Sequence, residues 1–230
     1  MSRYLASFYH LLISLAIFVV LAYLVIFVWY PDFFFTIDGG WEGMRIIIFV
    51  DLVLGPMLTL VVFKAGKPGL KFDLTCIGIF QGLCLIAGIF IVYSERPLMF
   101  IYYDKHFYSA DADTYESYNQ TPPNPLDFDS TSPAKVIAVY PSDPIEEADF
   151  RISLYKQGIP LWVHTDSYAP LYGRVEKLLE DSFDVQELIA RDSNGVLPAW
   201  LATHGGDVND YAFFPIHSRY HDPFIAIRRA

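Results

Sequence analysis

Hydrophobic residues fill three long runs before Pro97 and then give way to short alternating segments. From Tyr4 to Pro31 there is no acidic residue, Lys or Arg, and Leu11 to Val28 is almost continuously Leu, Ile, Val, Ala and Phe. Those residues rise about 27 Å as a helix, close to the hydrocarbon thickness of a bilayer. Trp29 and Tyr30 follow as an interfacial aromatic cap, and Pro31 ends the helix. The run is longer than the apolar region of a cleaved leader, and no Ala-x-Ala site follows, so it reads as an uncleaved signal anchor. A second run, Ile46 to Phe63, is interrupted by Asp51 and by Gly55-Pro56; a third, Leu74 to Ser94, is uncharged. The pattern predicts transmembrane helices at about residues 8–30, 44–63 and 74–94.

Beyond Pro97 the periods shorten. Phe100 to Tyr103 and His106 to Tyr108 read as a hairpin around Asp104-Lys105. Asp111 to Pro133 is rich in Pro, Asp, Ser, Thr and Asn and reads as an exposed loop. Val136 to Tyr140 predicts a strand. Asp143-Pro144-Ile145-Glu146 is a helix start, with Asp143 as cap and Glu146 completing a capping box, and Gly158 is the stop after Gln157. Leu161 to His164 predicts a short strand. Leu171 to Leu179, Val185 to Ala190 and Leu197 to Ala202 predict helices, and Ala212 to His217 and Phe224 to Ile227 closing strands. The fold class is therefore α+β: an N-terminal three-helix transmembrane bundle over residues 1–96, then a small mixed α+β domain over residues 97–230.

Charge sharpens this division. The chain of 230 residues is 53% hydrophobic and only 18% charged, yet its net charge is −10. Residues 1–96 hold six bases (Arg3, Arg45, Lys64, Lys67, Lys71, Arg96) and six acids (Asp32, Asp38, Glu42, Asp51, Asp73, Glu95). The remainder carries ten bases and twenty acids, so the whole excess lies there. Such a surface disfavours nucleic acid as a partner. The loop Asp32 to Glu42 has three acids and no Lys or Arg, whereas Lys64 to Asp73 has three lysines. The positive-inside rule places the second loop and the N-terminus in the cytoplasm and the C-terminal domain outside, which in a bacterium is the periplasm.

Within the membrane runs, Asp51 must face the bundle or water, either as an internal polar contact or as a partner-helix or proton-linked site. Tyr23 on the first helix is at similar depth and is a candidate donor to it. Pro56 should kink the second helix. Gly78 and Gly82 form a G-x-x-x-G motif that permits close helix approach, within the chain or with another protein. Asp51, Gly55, Pro56, Gly78 and Gly82 are thus the candidate intramembrane contacts.

The connecting segments carry a more specific signal. Val28-Trp29-Tyr30-Pro31, Asp38-Gly39-Gly40-Trp41, Val50-Asp51-Leu52-Val53-Leu54-Gly55-Pro56 and Lys67-Pro68-Gly69-Leu70-Lys71-Phe72-Asp73-Leu74 occur in that order. With three helices and a C-terminal domain, this set resembles the bacterial type IV pilin accessory protein family. The resemblance covers roughly residues 28–100 and implies an inner-membrane protein associated with major pilins and pilus assembly, with no catalytic residues to carry over. Its motif positions are Trp29, Pro31, Gly39, Gly40, Trp41, Lys67, Pro68, Gly69, Lys71 and Asp73. Each also has a topological reading: a glycine turn at Gly39-Gly40, Trp41 at the interface, a Pro68-Gly69 turn, and lysines near anionic headgroups.

The remaining chemistry is sparse. His217 and His221 have helical ligand spacing but straddle a turn, and His204 with Asp207 sits in a Gly-rich loop, so metal binding is not expected. Asp166, Glu176, Glu180 and Asp181 supply carboxylates that any acidic domain brings together by chance. No G-x-S-x-G, H-E-x-x-H or P-loop occurs. Cys76 and Cys84 read as packing residues on a lipid-embedded helix. The expectation is a non-catalytic accessory protein for type IV pilus biogenesis that contacts pilin and lipid and needs no cofactor. Two alternatives are a membrane enzyme modifying pilin or envelope lipid, and an envelope sensor with a periplasmic ligand domain.

Overall fold

The computed structural model describes residues 2–229, apart from the side chain of Lys177. The chain divides into two compact units, Met1–Arg96 and Pro97–Ala230. The first unit is helical. Helix α1 (Arg3–Trp29), a single turn α2 (Phe34–Ile37), α3 (Gly40–Val62) and α4 (Leu70–Ser94) follow in order. Of these, α1, α3 and α4 are long and apolar enough to cross a bilayer, with mean hydropathies of 3.1, 2.2 and 2.3. The chain is a membrane protein. Ser2 caps α1 by accepting from Leu5 N–H at 3.3 Å. Gly39 at φ +95° and Gly69 at φ +81° start α3 and α4, a backbone region that glycine enters without steric cost.

Helix α3 does not break at Pro56. Ile48–Leu54 widens into a π-helical segment just before it, and Pro56 sits in the first turn of the α-helical stretch that follows. A second π segment, Val25–Trp29, ends α1. The end of the bundle holding these chain segments is ringed by aromatics. Trp29 and Tyr93 meet edge-on at 5.2 Å, Tyr30 Oη donates to the Val92 carbonyl at 2.9 Å, and the guanidinium of Arg96 lies 3.7 Å from the Tyr93 ring. At the opposite end Lys67 Nζ donates to Asp73 Oδ2 at 2.6 Å, closing the Pro68-Gly69 turn.

The second unit is a six-stranded mixed sheet in the order β4-β3-β1-β2-β5-β6. Strands β1 (Met99–Tyr103) and β2 (His106–Ala110) form a hairpin whose turn residues, Asp104 and Lys105, both take positive φ. Strand β3 (Ala134–Ala138) runs parallel to β1 and β5 (Tyr211–His217) parallel to β2; β4 (Tyr168–Pro170) and β6 (Phe224–Arg228) are the antiparallel edges. Helices α5 (Ala112–Ser117), α6 (Pro144–Gln157), α7 (Val175–Glu180), α8 (Val185–Arg191) and α9 (Val196–His204) connect them. One core cluster fills the β1–β3 side, with Met99, Ile101, Tyr115, Val136 and Val163 fully enclosed beside Leu154 of α6.

Strands β5 and β6 and helix α6 lie where the alternation and the cap residues put them. Asp143 accepts from the N–H groups of Ile145 and Glu146, although no bond from Asp143 N–H to the Glu146 carboxylate closes the expected capping box, and Gly158 ends α6 at φ +69°. Three further local expectations fail. The stretch after Asp111 is not all loop: Asp111 Oδ1 accepts from Thr114 N–H and Oγ–H and starts α5, anchored by buried Tyr115. Leu161–Val163 is a 3-10 turn, since Pro160 precedes it and both apolar residues dip into the core. Leu171 starts no helix; Tyr168–Pro170 pairs with β3, and Gly173 at φ +81° delays α7 until Val175.

Candidate functional site

The chemistry inside the membrane unit concentrates on a polar seam between α1 and α3. Ser7, His10 and Ser14 recur at the spacing that puts them on one face of a helix, above which Leu21 and Val25 are buried. That face meets α3. Ser7 Oγ donates to the Pro56 carbonyl at 2.8 Å, and His10 Nδ1 lies 2.6 Å from Thr59 Oγ1. Ser14 and Thr59 are 5% and 4% exposed. A lipid-facing polar group would lack any partner, so the seam pairs Ser7 with the Pro56 carbonyl and His10 with Thr59.

Asp51 lies within the π-helical part of α3 and is 4% exposed. Its Oδ2 is fully enclosed and has no hydrogen-bond partner among the described residues. Tyr23, the donor expected from α1, is not in the seam: it is 61% exposed and rests against Phe27 at 5.4 Å.

Helix α4 joins the seam through Gln81, 7% exposed, which packs onto Gly55 so closely that a Cβ there would lie 1.9 Å from Gln81 Nε2. The other close approach between α3 and α4 is at Gly43, where a Cβ would lie 2.4 Å from Val92 Cγ2. The structure therefore gathers Asp51, Gly55 and Pro56 but leaves Gly78 and Gly82 out, with nothing within 4 Å of a Cβ at either. The residues that sequence reasoning passed over are Ser7, His10, Ser14, Gly43, Thr59 and Gln81. The spacing of Ser7, His10 and Ser14 in an otherwise apolar run was the available signal. Among the motif positions, Gly40 is held against Phe35, 2.7 Å from a would-be Cβ, and Trp41 lies under Arg45 at 5.8 Å.

Among the described residues the second unit shows no comparable convergence. An open cavity of about 510 Å³ is lined by Lys105, His106, Ser182, Phe183, Asp184, Val185 and Glu187. Its charges are already engaged: Lys105 with Asp181 at 3.5 Å, Glu187 with Arg191, and Asp184 with the backbone of Gln186 and Glu187. His204 bonds the Trp200 carbonyl, and His217 stacks on His106 at 5.1 Å. Among the described residues no three His, Cys, Asp or Glu side chains are grouped to hold a metal ion. The second unit also holds a pair of bonded tyrosines. Tyr168 Oη donates to the Trp162 carbonyl at 2.6 Å, so Tyr115 must donate in the 2.8 Å bond between the two hydroxyls. Burial raises both phenols above their ordinary range.

The model of the fimbrial assembly protein FimB matches residues 1–39. The fimbrial assembly protein of Dichelobacter nodosus serogroups C1 and C2 is 32% identical over 96 residues, covering 40% of this chain and 72% of that protein. The chain belongs to the fimbrial assembly protein family. Its serogroup I relative is 32% identical and its serogroup E1 relative 31%, each over 96 residues and 40% of this chain. In those two the match spans only 37% of the relative's length. No solved structure matches the chain. The type IV pilin accessory resemblance carried by the loop motifs is thus met at the level of the family.

Proposed function

We propose that this fimbrial assembly protein is a non-catalytic inner-membrane accessory factor of type IV pilus biogenesis, which contacts or stabilises pilin subunits before or during assembly. The observation that carries this reading is the coincidence of family membership with a three-helix membrane unit whose third helix is little used internally. Only Gln81 and Val92 of α4 are buried, while Ile79, Phe80, Leu83, Ile86 and Phe90 are exposed beside open Gly78 and Gly82. Such a face suits another apolar helix, since small residues let backbones approach in lipid. The N-terminus lies in the cytoplasm and the second unit in the periplasm, where its acidic surface meets the pilin head. The decisive experiment deletes the gene and measures surface piliation and total pilin separately, with photocrosslinking from positions flanking Gly82. Loss of piliation with pilin captured in the crosslink supports the proposal. Unchanged piliation, pilin level and pilus dynamics overturn it. An altered intact mass of pilin in the deletion strain would favour a modifying enzyme instead.

A further inference from the structure

Strand β6 is an unprotected edge. Its ladder with β5 is fixed by two bonds beyond the paired residues, Ile216 N–H to the Pro223 carbonyl and Arg229 N–H to the Asp210 carbonyl, each at 2.8 Å. Antiparallel pairing alternates, so residues 223, 225, 227 and 229 turn their backbone groups toward β5. Phe224, Ala226 and Arg228 turn theirs outward, and β6 ends the sheet order. Natural edges are commonly blunted by Lys, Pro or an inward charge. In β6 the proline, Pro223, stands before the strand and the charge, Arg228, at its last residue, so Phe224-Ile225-Ala226-Ile227 between them carries neither.

The geometry points to a second copy of this chain as the occupant of that edge, paired antiparallel about Ala226 so that the two sheets become one. In this register every outward residue finds an outward residue opposite: Ala226 faces Ala226 of the second copy, and Phe224 faces Arg228. Ile225 meets Ile227 in the intervening pairs, which gives β-branched neighbours on one face. Phe224, 40% exposed, takes the Arg228 guanidinium over its ring. Charge selects the register. Centring the pair on Arg228 would oppose two arginines, and centring it on Phe224 would draw in Asp222, which already accepts from Ser218 N–H at 3.3 Å. The unit as a whole is acidic, but Phe224 to Arg229 contains no acid, so two copies meet here without opposed carboxylates. This pairing is independent of the pilin reading above.

The test uses the full chain in detergent and in nanodiscs, with Cys76 and Cys84 replaced by Ser. Light scattering is expected to give a dimer, and Ala226→Pro to halve the mass with an unchanged circular dichroism spectrum. That proline removes an outward N–H, whereas one at Ile225 would break the β5 ladder. Under mild oxidation Ala226→Cys is expected to link to itself. Ile225→Cys alone is expected to stay unlinked but to link when mixed with Ile227→Cys. A monomer at every concentration overturns the inference, as does a dimer that Ala226→Cys fails to trap. The cysteine series decides the matter even if Ala226→Pro fails to fold.

Discussion

The side chain of Gln81 occupies the space that any side chain at Gly55 would need, its Nε2 lying 1.9 Å from a Cβ built there. Gly43 is equally committed, but against Val92 Cγ2 at 2.4 Å. The two collisions differ in how they relax. Gln81 can swing its amide away, whereas the β-branched Val92 is stiff. Gly43→Ala should therefore destabilise the bundle by about 2 kcal/mol and Gly55→Ala by about 1 kcal/mol, within the range for overpacked cores. Gly82→Ala, with open space around it, should be neutral or stabilise the helix by up to about 1 kcal/mol. Unfolding midpoints in detergent check the order; a Gly82 variant as damaging as Gly43→Ala would mean that α4 packs with its other face inward.

His10 and Thr59 join α1 to α3 through a single 2.6 Å contact. Hydrogen bonds between helices in lipid average about 0.6 kcal/mol, because the separated helices also find partners. Thr59→Val and His10→Ala should each cost about that much or somewhat more. Their double mutant should show a coupling of about 0.6 kcal/mol in a thermodynamic cycle. A coupling of zero would remove the contact from the account of the seam.

Much of this arrangement could be read from residue order. Continuous apolar runs declare themselves because lipid leaves no other use for them, and Asp143 and Gly158 bracket α6 because caps act locally. The seam was half legible. Asp51 and Gly55 stood out as departures from an apolar run, but which face of α4 meets them depends on helix rotation, and no local property of Gly78-x-x-x-Gly82 fixes that. Hence a motif suited to close packing lies open, while Gly43 and Gly55 make the approach. In the second unit, Leu161–Val163 misled because alternating burial also arises in a 3-10 turn.

The paired phenols of Tyr115 and Tyr168 make the second unit sensitive to alkali. Burial raises both above the ordinary value near 10, as it does for Tyr102 and Tyr103. A group whose native pKa is raised binds its proton more tightly in the folded state. Its contribution is complete below about pH 10 and is lost as pH climbs through the unfolded and then the native value. The melting temperature of the second unit should be flat with respect to these groups from pH 7 to 9 and fall above about pH 10. Absorbance at 295 nm should show these phenols ionising only with unfolding, and Tyr168→Phe should flatten the alkaline slope. Reversible ionisation of every tyrosine near pH 10 in the folded protein would contradict the enclosed pairing.

Orientation is the last proposal open to a direct measurement. Lys64, Lys67 and Lys71 crowd the loop between α3 and α4, and the Lys67–Asp73 bond uses only one of them. Transferring the remaining two across the bilayer is what the positive-inside bias opposes. With three spans, a cytoplasmic α3–α4 loop carries the N-terminus on its own side and the sheet unit on the other. In cells whose outer membrane has been made permeable, a membrane-impermeant maleimide should label Ser193→Cys and leave Ala65→Cys unmodified until the inner membrane is lysed. Both positions are exposed within their own units, so accessibility in the protein does not bias the comparison. Replacing Cys76 and Cys84 by Ser removes background labelling. Labelling of Ala65→Cys in intact inner membranes would invert the proposed topology, and with it the placement of the acidic surface where it could meet pilin.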